Sequence, residues 1–142
     1  MSESQRDFLD SILRAMRPAL MRPLASQALI DVKQIACGLL DRQGRLLATD
    51  HLGRAGTLHA TSACILDYFG HELESGDVVM TNDPYSGGTR IQDLTLLTPI
   101  QSKGRNVGYA MAVCPLPDLG GNALGGNDPR ALEIWAEGIR VT

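Results

Sequence analysis

Residues 76–100, GDVVMTNDPYSGGTRIQDLTLLTPI, constrain what this chain can fold into more than any other stretch. The run Val78-Val79-Met80-Thr81 is apolar and reads as a buried strand. Asn82-Asp83-Pro84 must end it, because short polar side chains bond nearby backbone and proline brings no N–H to a ladder. Gly87-Gly88 then permit positive φ and close backbone approach. Leu94-Thr95-Leu96-Leu97 returns to a strand pattern. A strand, a rigid polar loop and a second strand together present side chains at a sheet edge.

The rest of the chain supplies partners for that unit. Phe8, Ile12 and Met16, with Leu9 and Leu13, recur at helical spacing, predicting an amphipathic helix over 4–16 with Ser4 as N-cap. Pro18 and Pro23 bend or end it before Leu24. Within 32–48, Ile35–Leu40 and Arg45–Ala48 form a hairpin across Asp41-Arg42-Gln43-Gly44, a type I turn whose last residue takes positive φ. A second helix is expected over 57–69, closed by Gly70. Leu94–Ile100 and Val107–Val113 read as two strands joined through Gln101–Asn106. Gly120, Gly121, Gly125 and Gly126 are too dense for helix or strand. Asp128-Pro129 opens a short helical stretch running to Ala136.

At 142 residues the chain reads as one domain, 1–142, with an ordinary apolar fraction of 44%. Its net charge of −3 offers no basic stripe for nucleic acid. No apolar run is long enough for a signal peptide or a membrane span. Cys37, Cys64 and Cys114 are odd in number and widely spaced, which argues against a disulfide framework or zinc ribbon and for a reducing cytoplasm. His51, His59 and His71 show no HxH or HxxxH spacing. The loop Tyr85–Thr89 lacks the lysine and spacing of a phosphate loop, so a structural turn is the plainer reading.

The signature resembles that of the hydantoinase B, 5-oxoprolinase and acetone carboxylase family, whose members read NDPYxGGTHxxDxTLxTPV here. The hairpin CGLLDRQGRLLA and the terminal EIWAEGIRV are similar to family elements as well. The resemblance runs over nearly all of the chain, yet family members are several times longer and it covers their N-terminal portion. It implies an α+β fold with two β-sheets in a barrel-like arrangement, an N-terminal helix and a second outer helix.

The same resemblance implies a divalent metal held by a His-x-x-Asp pair, an aspartate before the first hairpin and a histidine of an HHAD-(I/V)-GG motif. Here the pair is Arg90 and Asp93, the aspartate falls on Gln34, and the last motif is Pro115-Leu116-Pro117-Asp118-Leu119-Gly120-Gly121. A further family histidine falls near Ala55. Arginine stays protonated and has no lone pair to give, and proline and leucine ligate through no side-chain atom. The expectation is therefore a metal-free, non-catalytic remnant in which Arg90 pairs with Asp93 and lies near Asp118.

The resemblance also implies company. The expected role is a small subunit of a multisubunit ATP-dependent carboxylase of the acetophenone carboxylase kind. Its partners would be nucleotide-binding subunits of the acetate-kinase and actin type, carrying ATP and Mg, and a larger hydantoinase B-like subunit. The alternatives are a subunit of an ATP-dependent hydantoinase or oxoprolinase-type cyclic-amide hydrolase, and a free-standing binding domain. Gly120–Gly126 and Ile134-Trp135 are the expected contact surface, since a tryptophan of this kind serves as an interface anchor.

Overall fold

A computed structural model of the protein describes residues 2–22, 34–69, 72–126 and 128–142. Pro23, Leu24, the start of the hairpin region at Val32, Gly70 and His71 lie outside the described residues.

The first helix, α1 (Glu3–Met21), is closed by Ser2 rather than Ser4. Ser2 Oγ accepts from Gln5 N at 3.3 Å while Gln5 Oε1 accepts from Ser2 N at 2.8 Å, a reciprocal capping box that Ser4 cannot form. The helix runs through Pro18 to Met21. Leu13 is its fully buried residue, flanked by Leu9, Ile12, Met16 and Leu20. Phe8, expected on that stripe, faces solvent at 64% exposure.

Strands β1 (Ala36–Leu40) and β2 (Leu46–Thr49) form the expected hairpin. Asp41 Oδ1 accepts from the backbone of Gln43 and Arg45, and Gly44 sits at φ +76°. The second helix, α2 (Ala55–Phe69), starts two positions ahead of Thr57, directly after a 3-10 turn at Leu52–Arg54. Strand β3 (Val79–Thr81) is followed by β4 (Asp93–Ser102) and β5 (Arg105–Pro115). The last two are longer than expected, because Lys103 (φ +51°) and Gly104 (φ +72°) turn the chain in two residues.

All five strands join one antiparallel sheet in the order β2-β1-β5-β4-β3. The barrel-like pair of sheets is therefore not what these residues build. The two short strands β2 and β3 lie at opposite edges, and among the described residues nothing pairs them to close the sheet. The two helices lie on opposite faces. On one, Leu58 and Ile65 of α2 pack against Ala36, Leu40, Leu97, Tyr109, Met111 and Val113. On the other, Leu13 of α1 packs on Cys37, Leu39 and Ala112. Arg17 fastens α1 down: it bonds Asp50 Oδ2 at 2.9 Å and Ile35 O at 2.7 Å, while Asp50 Oδ1 accepts from Cys37 N at 2.7 Å. Beyond β5 the expected helix to Ala136 shrinks to a turn at Asp128–Arg130 and a 3-10 turn at Ile134–Ala136.

Candidate functional site

The loop between β3 and β4 is built from its own side chains. Asp83 caps a 3-10 turn at Pro84–Ser86, accepting from Tyr85 N at 3.0 Å and Ser86 Oγ at 3.1 Å. Gly87 turns left-handed at φ +86° and abuts α2, where Thr61 Oγ1 donates to its carbonyl at 2.5 Å. A Cβ on Gly88 would come within 2.7 Å of Asp83 O, so the glycine pair is required by contact as well as by φ.

Asn82, fully buried, turns this loop into a clamp. Its Nδ2 donates to Ile91 O and Ile139 O, both at 2.8 Å, and its Oδ1 accepts from Val141 N at 2.6 Å. Gln92 does the same one turn on, donating to Gly126 O at 3.1 Å and Glu137 O at 3.2 Å. The glycine-rich segment and the last residues are thus held by amides of the signature. Arg140 lies over the Trp135 ring at 4.7 Å and reaches Asp83 Oδ2 at 3.9 Å.

The remnant positions meet at the start of β4. The Asp93 carboxylate is buried and receives Arg54 Nη1 at 2.7 Å and Arg54 Nη2 at 3.4 Å. It also receives Thr89 Oγ1 at 2.6 Å, and Arg90 Nε lies at 3.2 Å. Gln34 Oε1 accepts from both guanidinium groups, at 3.1 Å from Arg54 and 3.2 Å from Arg90. Pro115 stands opposite Asp93 across the ladder, and Leu116 N donates to Gln92 O at 2.7 Å. Asp118 turns to the glycine segment. Its carboxylate accepts from Gly120 N at 2.8 Å and Gly125 N at 3.4 Å, shaping the glycine turn, and among the described residues no ion pair joins it to Arg90.

Arg54 is the residue that sequence reasoning missed, and it is the tighter partner. It is 13% exposed against 44% for Arg90. Burial alone pushes the Asp93 carboxyl up; hydrogen bonds from Arg54 and Thr89, with the charges of Arg54 and Arg90, outweigh it and hold the group below its ordinary value. The carboxylate is thus a fixed acceptor, poorly suited to serve as a base. Nor does the set suit a divalent cation: one carboxylate and one amide oxygen, both already facing cationic guanidinium groups, offer no free donors.

Of the histidines, His51 precedes the turn before α2 without a side-chain cap bond, and His59 is exposed on α2. No group of three or more His, Cys, Asp or Glu side chains suited to a metal occurs among the described residues. On the solvent side of Arg90 lies an open cleft of about 490 Å³, bounded by Tyr85, Thr89, Leu132, Glu133 and Glu137. Cys37 and Cys114 are buried free thiols. Burial, then Asp50, pushes Cys37 up to about 12, and burial pushes Cys114 up to about 11.

An antiparallel sheet between two helices, with a signature loop that clamps its own downstream segment, defines a mixed α+β domain. The model of the hydantoinase B/oxoprolinase family matches residues 3–142, and the chain belongs to that family. It is 30% identical over 137 residues to 5-oxoprolinase PfmaA of Pestalotiopsis fici, covering 92% of this chain and 10% of that protein. It is 37% identical over 86 residues to caprolactamase subunit beta of Pseudomonas jessenii, covering 61% and 15%. Among solved structures, the ATP-dependent caprolactamase of Pseudomonas jessenii superposes with a TM-score of 0.81 at 30% identity, over 96% of this chain and 24% of that one. Nucleotide-free acetone carboxylase shares the fold, with a TM-score of 0.64 at 23% identity over 81% and 16%. The chain spans 10–15% of the length of the two curated relatives described. No helix among the described residues is long and apolar enough to cross a membrane.

Proposed function

We propose that this chain is a small, non-catalytic subunit of a multisubunit ATP-dependent enzyme of this family, a ketone carboxylase of the acetophenone carboxylase kind. The observation that carries the non-catalytic role is the Asp93 carboxylate, held between Arg54 and Arg90 where the family resemblance implies a metal. A carboxylate so paired neither ligates nor accepts a proton near neutral pH. In this reading the chain binds no metal and no nucleotide. ATP and Mg sit on partner subunits of the acetate-kinase and actin type, and a larger hydantoinase B-like subunit carries the chemistry, all within the cytoplasm.

A second reading keeps the role and changes the reaction to hydrolysis of a cyclic amide. It is favoured by the 37% identity to caprolactamase subunit beta. Both are tested by reconstituting this chain with nucleotide-binding subunits and a larger hydantoinase B-type subunit from the same genome. ATP hydrolysis stimulated by acetophenone with bicarbonate supports the carboxylase, and stimulation by a lactam or hydantoin supports the hydrolase. If the chain stays monomeric and the other subunits turn over ATP equally well without it, the subunit reading fails and a free-standing binding domain takes its place. One bound metal per copy of this chain, lost in Asp93→Ala, would overturn the metal-free assignment.

A further inference from the structure

Among the described residues, the α1 face of the sheet is covered over β1 and β2 and left open over β4 and β3. Along β4, Asp93, Thr95, Leu97 and Pro99 are buried, while the alternating Leu94, Leu96 and Thr98 are half-exposed. Register shows which face this is: Met80 pairs with Leu96, Leu96 with Ala112, and Ala112 with Cys37, which lies beneath α1. Leu94, Leu96, Met80 (46% exposed) and Ile100 (36% exposed) thus continue the surface on which α1 rests, past the edge of that helix. An antiparallel sheet with one face in water alternates apolar inward and polar outward. Here the α1-side face of β4 carries Leu94, Leu96 and Ile100 with Thr98 as its one polar residue, the pattern of a face with a layer against it. Ala110 and Ala112 of β5 form a shallow floor between α1 and this open strip, small enough for a second element to lie close beside α1.

We infer that this strip, Met80, Leu94, Leu96 and Ile100, is the docking face for the body of a larger hydantoinase B-type polypeptide, which lays an apolar layer beside α1. The inference rests on the subunit reading above and locates the contact. It is favoured over a second copy of this chain by the superposition, in which the same fold makes up 24% of a longer caprolactamase chain and is therefore accompanied there by further polypeptide. It also moves the contact away from Trp135 and Leu132, which lie on the C-terminal segment held by Asn82 and Gln92.

The test uses this chain with a larger hydantoinase B-type polypeptide from the same genome, by pull-down and sedimentation velocity. Leu96→Asp and, at the half-exposed edge position, Met80→Lys are each expected to weaken the complex at least ~100-fold, as loss of a central apolar contact does. Leu132→Asp and Trp135→Ala leave it intact. Met80→Lys decides the matter if Leu96→Asp fails to fold, judged by near-UV circular dichroism. A complex indifferent to Met80→Lys, or abolished by Trp135→Ala, overturns this docking face while sparing the subunit reading. A chain that forms a homodimer through Met80 and ignores the larger subunit overturns the occupant. Failure to bind any neighbour removes the subunit reading itself.

Discussion

Arg54 and Arg90 both reach Asp93, and the structure assigns them unequal weight. Replacing Arg54 with methionine keeps most of the packing volume and removes the 2.7 Å contact between side chains 13% and 4% exposed. Breaking a buried pair costs about 3–5 kcal/mol, because the surviving charge is stranded. Here Arg90 remains at 3.2 Å and Thr89 at 2.6 Å, so the expected loss falls below that range, at about 2–3 kcal/mol. Arg90 is 44% exposed and water screens it; Arg90→Met is expected to cost only about 0–1 kcal/mol. In a domain of this size that separation reads as roughly 6–10 °C in Tm for Arg54→Met against less than about 4 °C for Arg90→Met. Urea titration at pH 7, with unchanged slope as the check on two-state behaviour, measures both. An Arg90→Met loss equal to or larger than that of Arg54→Met would refute the assignment, as would two losses below about 0.5 kcal/mol.

The depressed Asp93 carboxyl contributes stability that is complete above its unfolded value of about 4 and is lost as pH falls through the lower folded value. Asp93→Asn should therefore be destabilised near neutral pH and show a flatter acid limb in Tm against pH; an unchanged limb contradicts the linkage. Asn82→Ala strands two carbonyls and one N–H, costs about 2–3 kcal/mol and opens residues 138–142 to hydrogen exchange ahead of the sheet, read by mass spectrometry. Cys64 is exposed whereas Cys37 and Cys114 are buried with raised pKa values, so a thiol reagent at pH 8 labels Cys64 alone in the native chain and all three thiols in urea. Rapid native labelling of Cys37 would mean that α1 is not docked.

Local signals were legible in the sequence wherever a few neighbouring residues decide the backbone. Asp41 to Gly44, Asn82-Asp83-Pro84 and Gly87-Gly88 all make the turns that their chemistry demands. The Arg90–Asp93 pair, three residues apart on one loop, was legible for the same reason. Arg54 was not. It reaches Asp93 from the start of α2, and nothing between Leu52 and Gly56 marks it as inward-facing except its place beside Ala55, where relatives are expected to carry a histidine. For Asp118 a motif says which residue corresponds, while the open amides of Gly120 and Gly125 decide where the carboxylate turns. The β3 run Val78–Thr81 reads as buried from composition, yet Val78 is 60% exposed and Met80 stands at the sheet edge. Apolar sequence records what is meant to be covered; a single chain shows only what it covers itself. Sheet closure likewise depends on which strands end up at the edges, and strand patterns alone carry no such information.

The strand order has a consequence in time. The centre of the sheet joins β1 to β5, with Ala36 opposite Val113, so the inner edge of the hairpin stays unpaired until β5, far downstream, has been made. Contacts of such long sequence separation pay their loop-closure entropy before any pairing rewards it, which places this chain among slow folders. Until β5 arrives, Cys37 and Leu39 lie on an open strand, the kind of surface that nascent-chain chaperones cover and that neighbouring copies can capture. Pairing of β5 with β1 is the step that closes this surface.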